Sequence, residues 1–118
     1  MAVYKRKLSG STDGKAIKVV QTATAGDTIH TAVAGTTAGT FDEIWIWAYN
    51  GHTADVVLTL EWGGATVPDQ NVVQTIPFKK GLFLVAPGLI LQNGMVVKAF
   101  AATANVITLT GYSNSMTD

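Results

Sequence analysis

Trp45, Trp47 and Tyr49 lie close together in Phe41–Tyr49, and Trp62 follows shortly after. Their flat π-faces are the side chains here best suited to recognition, either stacking sugars or stacking bases. Bases fit poorly, because such platforms work beside a basic groove and no Lys or Arg occurs between Lys18 and Lys79. A sugar platform stays open, and so does plain core packing. Nucleophilic catalysis needs a hydroxyl beside a base. Yet the four serines, Ser9, Ser11, Ser113 and Ser115, lie in the two terminal segments, and there is no Cys. Acid–base work needs carboxylates brought together in a cleft. Asp42 and Glu43 are adjacent and so point to opposite faces of a strand, while Asp55, Glu61 and Asp69 are scattered. His30 and His52 read as isolated imidazoles rather than converging ligands. Gly63-Gly64 and Gln92-Asn93-Gly94 lack the Lys and helix of a phosphate loop. No catalytic set, cofactor or metal site is expected.

The elements that would carry these residues are β-strands. Runs rich in Val, Ile, Thr and aromatics alternate with turn residues: 16–24, 27–33, 41–49, 54–62, 71–78, 82–86, 95–101 and 105–112. About eight strands at intervals of about 8–12 residues point to an all-β antiparallel sandwich of jelly-roll type. No stretch keeps a 3.6-residue apolar period. Residues 1–14, with Lys5, Arg6 and Lys7 followed by Ser9-Gly10-Ser11-Thr12-Asp13-Gly14, read as a flexible basic arm, and 15–118 as a single domain.

Asn50-Gly51 between two β-runs is a strong hairpin signal. Paired this way, one face would carry Trp45, Trp47 and Tyr49 with Val56, Leu58, Leu60 and Trp62. The other would carry Ile44, Ile46 and Ala48 with Val57, Thr59 and Glu61. Both faces are apolar, whereas a solvated antiparallel sheet needs only one apolar face. With the tryptophans taken as core, Ile44, Ile46 and Val57 become the expected subunit interface.

Bulk composition agrees with association. Of 118 residues, 47% are hydrophobic and only 14% charged, against a usual charged share of about 25%. The formal net charge is zero, which offers no general attraction to nucleic acid or anionic membrane. The N-terminus has basic residues with no apolar run behind them, unlike a secretory signal. The run Leu82–Leu91 is broken by Pro87 and Gly88 and is too short for a bilayer span.

The basic cluster Lys5–Lys7, the Ser9–Gly14 turn, Ala48-Tyr49-Asn50, the Pro87-Gly88-Leu89 turn, Asn93-Gly94 and the closing Asn105-Val106-Ile107 together resemble small virion proteins of tailed bacteriophages. The head decoration (cement) proteins are the group most resembled. The resemblance implies a β-sandwich or jelly-roll module, a homotrimer, seated on the capsid exterior after synthesis in the host cytoplasm. It would clamp neighbouring major capsid proteins, with Lys5, Arg6 and Lys7 as the capsid-contacting arm. The alternative is a tail or fibre module that contacts host glycan through Trp45, Trp47 or Trp62.

Overall fold

The computed structural model describes residues 1–118. Nine strands form, with no helix: β1 (Ala2–Lys7), β2 (Ile17–Lys18), β3 (Asp27–Thr31), β4 (Phe41–Asn50), β5 (Val56–Trp62), β6 (Asn71–Ile76), β7 (Phe83–Leu91), β8 (Val96–Ala101) and β9 (Ile107–Thr117). They build two antiparallel sheets that pack face to face. One has the order β1-β9-β4-β7, with β2 also on β9, and the other has the order β3-β8-β5-β6. We call them the five-stranded and four-stranded sheets.

The winding follows from which strands pair. β5 pairs with β6, β4 with β7, β3 with β8, and β1 with β9. The chain is thus one long ribbon, doubled back at residues 63–70, whose successive pairs are laid alternately on the two sheets. That is the jelly-roll order, and the expected antiparallel sandwich is what forms.

Each crossing between sheets is a double crossing, and hydrogen bonds tie its two segments together. At residues 50–55 and 77–82, Lys79 N–H donates to the Asn50 carbonyl at 2.8 Å. Asn50 Nδ2 donates to Ile76 O at 2.9 Å and to Ala54 O at 3.0 Å, and its Oδ1 accepts from His52 N–H at 2.8 Å. At the next crossing, Gln92 Nε2 donates to Thr37 O and Thr40 O. These bonds satisfy backbone groups that would otherwise be left unpaired where the ladders stop.

The expected β4–β5 hairpin does not form, because the two strands lie in different sheets. A two-residue hairpin of the Asn-Gly kind needs φ > 0 at both positions, and neither Asn50 nor Gly51 has it. Asn50 ends β4 fully buried, and its amide pins the arch instead of turning a hairpin.

The core lies between the sheets. Ile44, Ile46 and Ala48 of β4 enter it with Leu58 and Leu60 of β5, Val97 and Ala99 of β8, and Ile107 and Leu109 of β9. Strand alternation then turns Glu43, Trp45, Trp47 and Tyr49 outward. The assignment of β4 faces made from the sequence is therefore reversed. Ile44 and Ile46 are enclosed by the chain's own second sheet and cannot meet another subunit. Val57 lies elsewhere, 41% exposed on the outer side of the four-stranded sheet.

Residues 1–14 are not a free arm. Ala2–Lys7 pair in register with Tyr112–Thr117, and Leu8 is buried in the core. The arm and the body are one structural unit.

Candidate functional site

The outer face of the five-stranded sheet is the surface that no part of the chain covers with a second layer. Cross-strand register sets its rows. One row runs Lys5, Asn114, Glu43, Ile90, and the next runs Lys7, Tyr112, Trp45, Pro87. Trp47 and Leu84 follow beside Thr110.

Trp45, Trp47 and Tyr112 form a three-ring panel. The Trp45 and Trp47 centroids are 6.2 Å apart with planes 19° from parallel, and Tyr112 lies 6.4 Å from Trp45 and 6.0 Å from Trp47. Each ring is half-buried by its neighbours. Lys5 Nζ stands 4.3 Å from the Tyr112 centroid, a cation–π contact. Ile90 and Val3 are exposed at the panel's margins.

Two glycines let the panel sit where it does. β7 carries an extra residue at Gly88 and another at Val85 relative to β4, giving two bulges beside the tryptophans. Gly88 has φ +74°, and a Cβ there would stand 2.9 Å from Trp45 Cζ2. On the other side, a Cβ at Gly111 of β9 would overlap the Trp45 carbonyl oxygen.

Polar groups fix one end of the panel. Glu43 Oε1 accepts from Trp45 Nε1 at 2.8 Å and from Asn114 Nδ2 at 3.1 Å. The Trp45 hydrogen bond, then that of Asn114, holds the Glu43 carboxyl below its ordinary value of 4.5. Glu43 thus remains a carboxylate whose other oxygen is free to accept from a ligand hydroxyl or amide.

A second polar cluster lies inside one end of the sandwich. His30 Nε2 is 2.6 Å from Asp42 Oδ2, and both side chains are buried. Asp42 and Glu43 do point to opposite faces, as their adjacency requires. Ser9, read from the sequence as remote, is brought here by the turn after β1. Its N–H donates to His30 Nδ1 at 3.0 Å, and its Oγ accepts from Thr31 N–H at 2.6 Å. With the Nδ1 lone pair occupied by an amide, Nε2 carries the proton and donates it to Asp42. The Ser9 hydroxyl has no hydrogen bond to the imidazole, so this trio locks β1, β3 and β4 together rather than forming a nucleophile–base pair.

The remaining sequence-derived site residues are dispersed. Lys5 lies on the panel, whereas Arg6 alternates to the opposite side of β1, with its guanidinium 5.4 Å from the Tyr4 ring. Lys7 Nζ donates to Ser11 O at 2.9 Å. By strand alternation Lys5 and Lys7 share the panel side of β1, and Arg6 does not. Trp62 donates from Nε1 to Ile90 O at 3.2 Å, tying β5 to the edge strand β7, and takes no part in the three-ring contacts. Comparison with protein-family models, with curated proteins and with solved structures finds no match.

The panel residues missed in the sequence are Tyr112, Asn114 and Glu43. For Tyr112 and Asn114 the signal was the alternation Thr108, Thr110, Tyr112, Asn114, Met116, which continues past the point where the last strand was expected to stop. For Glu43 it was its place in the alternation with Trp45 and Trp47.

Proposed function

We propose that this chain is a non-enzymatic structural protein of a phage virion, a head decoration module that binds an assembled capsid lattice through the outer face of its five-stranded sheet. The single observation that carries the reading is the uncovered panel of Trp45, Trp47 and Tyr112, with Leu84 and Ile90 beside it. Fully desolvating an exposed large apolar side chain contributes about 1.5–3 kcal/mol, so covering Leu84, Ile90 and the still-exposed part of the half-buried rings favours a partner. Aromatic residues are also the side chains enriched at binding hot spots. The sequence resemblance supplies the partner, a major capsid protein, and the trimeric state. The jelly roll is a fold used by capsid proteins, an analogy that supports the reading without carrying it.

The mechanism is mechanical. A protein that binds only the assembled lattice stabilises it by mass action, raising the cost of separating capsomers. The test is co-sedimentation with undecorated capsids followed by negative-stain imaging. The full chain should pellet with the capsids and appear on their exterior, while Trp47→Ala and Tyr112→Ala should weaken binding by about tenfold or more. A chain that stays in the supernatant, or variants that bind unchanged, would overturn this reading.

A second reading rests on one specific observation. The stacked rings stand beside the free oxygen of Glu43 and the amide of Asn114, a combination of flat apolar surface and hydrogen-bonding groups suited to a pyranose. Jelly rolls also serve as lectins. Titrating a panel of host-surface glycans while following tryptophan fluorescence tests it. A saturable change abolished by Trp45→Ala favours a tail or fibre module, and a flat response across the panel removes it.

A further inference from the structure

Five of the eight Lys and Arg residues fall within residues 1–18, namely Lys5, Arg6, Lys7, Lys15 and Lys18, against one acid, Asp13. In sequence they are remote from the tryptophans. The β-ladders bring three of them onto the face that carries the panel. Lys5 lies opposite Asn114 and Lys7 opposite Tyr112, both outward on β9. Lys18 lies opposite Thr108 and also faces outward, because its neighbour Ile17 pairs with the buried Leu109. β1 and β2 therefore line the same side of β9, and their outward lysines form a column. From Thr108 to Asn114 it covers about 20 Å of extended strand. Lys18, outside the arm suggested by the sequence, belongs to this column. Arg6, inside that arm, does not.

All three lysines are exposed. The one ion pair in the chain is His30 with Asp42, so no carboxylate neutralises any of them. Lys5 Nζ stands over the Tyr112 ring and Lys7 Nζ donates to the Ser11 carbonyl, contacts that leave both charges in place. Glu43, the one acid among the outward strand residues of this face, is separated from Lys5 by Asn114 and is engaged by Trp45 and Asn114. The face is thus graded across its strands. Its β1–β2 margin is cationic and its centre aromatic. Its β7 margin is aliphatic, with Leu84 39% and Ile90 57% exposed.

Resting on the reading that this face binds a protein partner, we infer that the column of Lys5, Lys7 and Lys18 receives an acidic segment of that partner. The partner's carboxylates meet the lysines, and its apolar side chains cover the rings and the β7 margin. Charge complementarity selects this occupant. Three unpaired ammonium groups on a chain of zero net charge need anions from outside. A nucleic acid would satisfy them, but its phosphates would also run against Glu43 and leave Leu84 and Ile90 without apolar cover. Cations on one margin only also set the partner's orientation, since the reversed pose would lay its carboxylates on Leu84 and Ile90. Charges of this kind at a rim contribute mainly encounter rate, register and salt dependence.

Two arms test this with the full chain. In the first, co-sedimentation with undecorated capsids is repeated from about 50 to about 500 mM NaCl. Affinity should fall about tenfold across the series. The triple variant Lys5→Gln, Lys7→Gln, Lys18→Gln should start about tenfold weaker and respond little to salt. Lys18→Gln alone, at an exposed residue, serves should the triple variant fail to fold by circular dichroism. Lys98→Gln, on the other sheet, removes one charge without touching this face and should bind as wild type. In the second arm, NMR titration with an oligoglutamate of about ten residues should shift the Lys5, Lys7, Lys18 and Thr108 amides, and an oligothymidylate of about equal charge is the comparison. Capsid binding that Trp47→Ala weakens, but that neither salt nor the lysine variants alter, would overturn the inference and leave the capsid reading standing. Oligoglutamate shifts along the column in a chain that ignores capsids would support it and remove that reading. Oligothymidylate acting on the column at lower concentration than oligoglutamate would overturn it in favour of nucleic acid. Folded lysine variants that match wild type in both arms would overturn it outright.

Discussion

The indole of Trp45 lies against the backbone of Gly88 on the neighbouring strand, so closely that a Cβ at position 88 would stand 2.9 Å from Cζ2 and 3.1 Å from Cε2. The left-handed φ of Gly88 adds a second constraint. Gly88→Ala should therefore cost about 1–3 kcal/mol in chemical denaturation and shift the tryptophan emission as the indole is displaced. An unchanged midpoint and spectrum would show that the ring is not held against this strand.

Gly111 should be the stricter position. A side chain there would meet main-chain atoms of Trp45 and Ile46, which cannot rotate away. Gly111→Ala is expected to lower the thermal midpoint more than Gly88→Ala, because it forces β9 and β4 apart. Scanning calorimetry of the two variants side by side gives the order.

The Glu43 carboxyl links the panel to pH. Its folded value lies below 4.5 because Trp45 and Asn114 hydrogen-bond the charged form. A lowered carboxylate contributes stability that is fully present above the unfolded value and is lost as pH falls through the folded value. Denaturation midpoints of wild type and Glu43→Gln should therefore differ by a constant amount from neutral pH down to about 5, then converge in more acidic solution. A gap that persists at low pH would assign the effect to packing.

Asn50 is expected to be among the most sensitive polar positions. It is fully buried and makes three side-chain hydrogen bonds across one double crossing. Asn50→Ala leaves the Ile76 and Ala54 carbonyls and the His52 amide to find other partners, at about 1–3 kcal/mol for each group left unsatisfied in the interior. Urea denaturation should show a loss of at least about 2 kcal/mol. A true hairpin turn would tolerate the change far better.

Removing residues 1–7 should damage the body of the protein. The deletion strips β9 of one of its two neighbours over Tyr112–Thr117, leaving only β4, and uncovers the site where Leu8 is buried. The truncated chain should unfold with a clearly lower midpoint and lose the coupling between Lys5 and Tyr112. A truncated chain as stable as the full one would mean that this segment is an appendage after all.

Much of the fold was legible in the sequence. The strand runs around Phe41, Val56, Asn71 and Val96 were set by β-branched and aromatic content, and their bounds fall within a few residues of the observed ones. The partners of those strands were not legible. Asn50-Gly51 carries the composition of a tight turn, but turn composition records only what a backbone tolerates, and here the Asn side chain is used to bridge two crossings. Which β4 face is the core was also hidden. Ile44-Ile46-Ala48 and Trp45-Trp47-Tyr49 are both apolar, and only the position of the second sheet separates them. Residues 1–7 are basic enough to read as a solvated tail, yet their backbone hydrogen bonds to β9 need no apolar side chain. Ser9 and His30 are far apart in sequence and meet only because β1 and β3 flank the same end of the sandwich.

The strand order carries a consequence for synthesis. β9, one of the last segments to be made, sits between β1 and β4, among the first. Until residues 107–117 have left the ribosome, those two strands have no connection through the sheet, and the tryptophan-bearing strand has only β7 beside it. A nascent chain must hold its early strands apart in an unfinished state and then accept the missing one between them. Such late, long-range closure makes for slow folding. A ribosome stalled before residue 107 would hold every strand of the four-stranded sheet, while the sheet that must cover its apolar face still lacks the central strand.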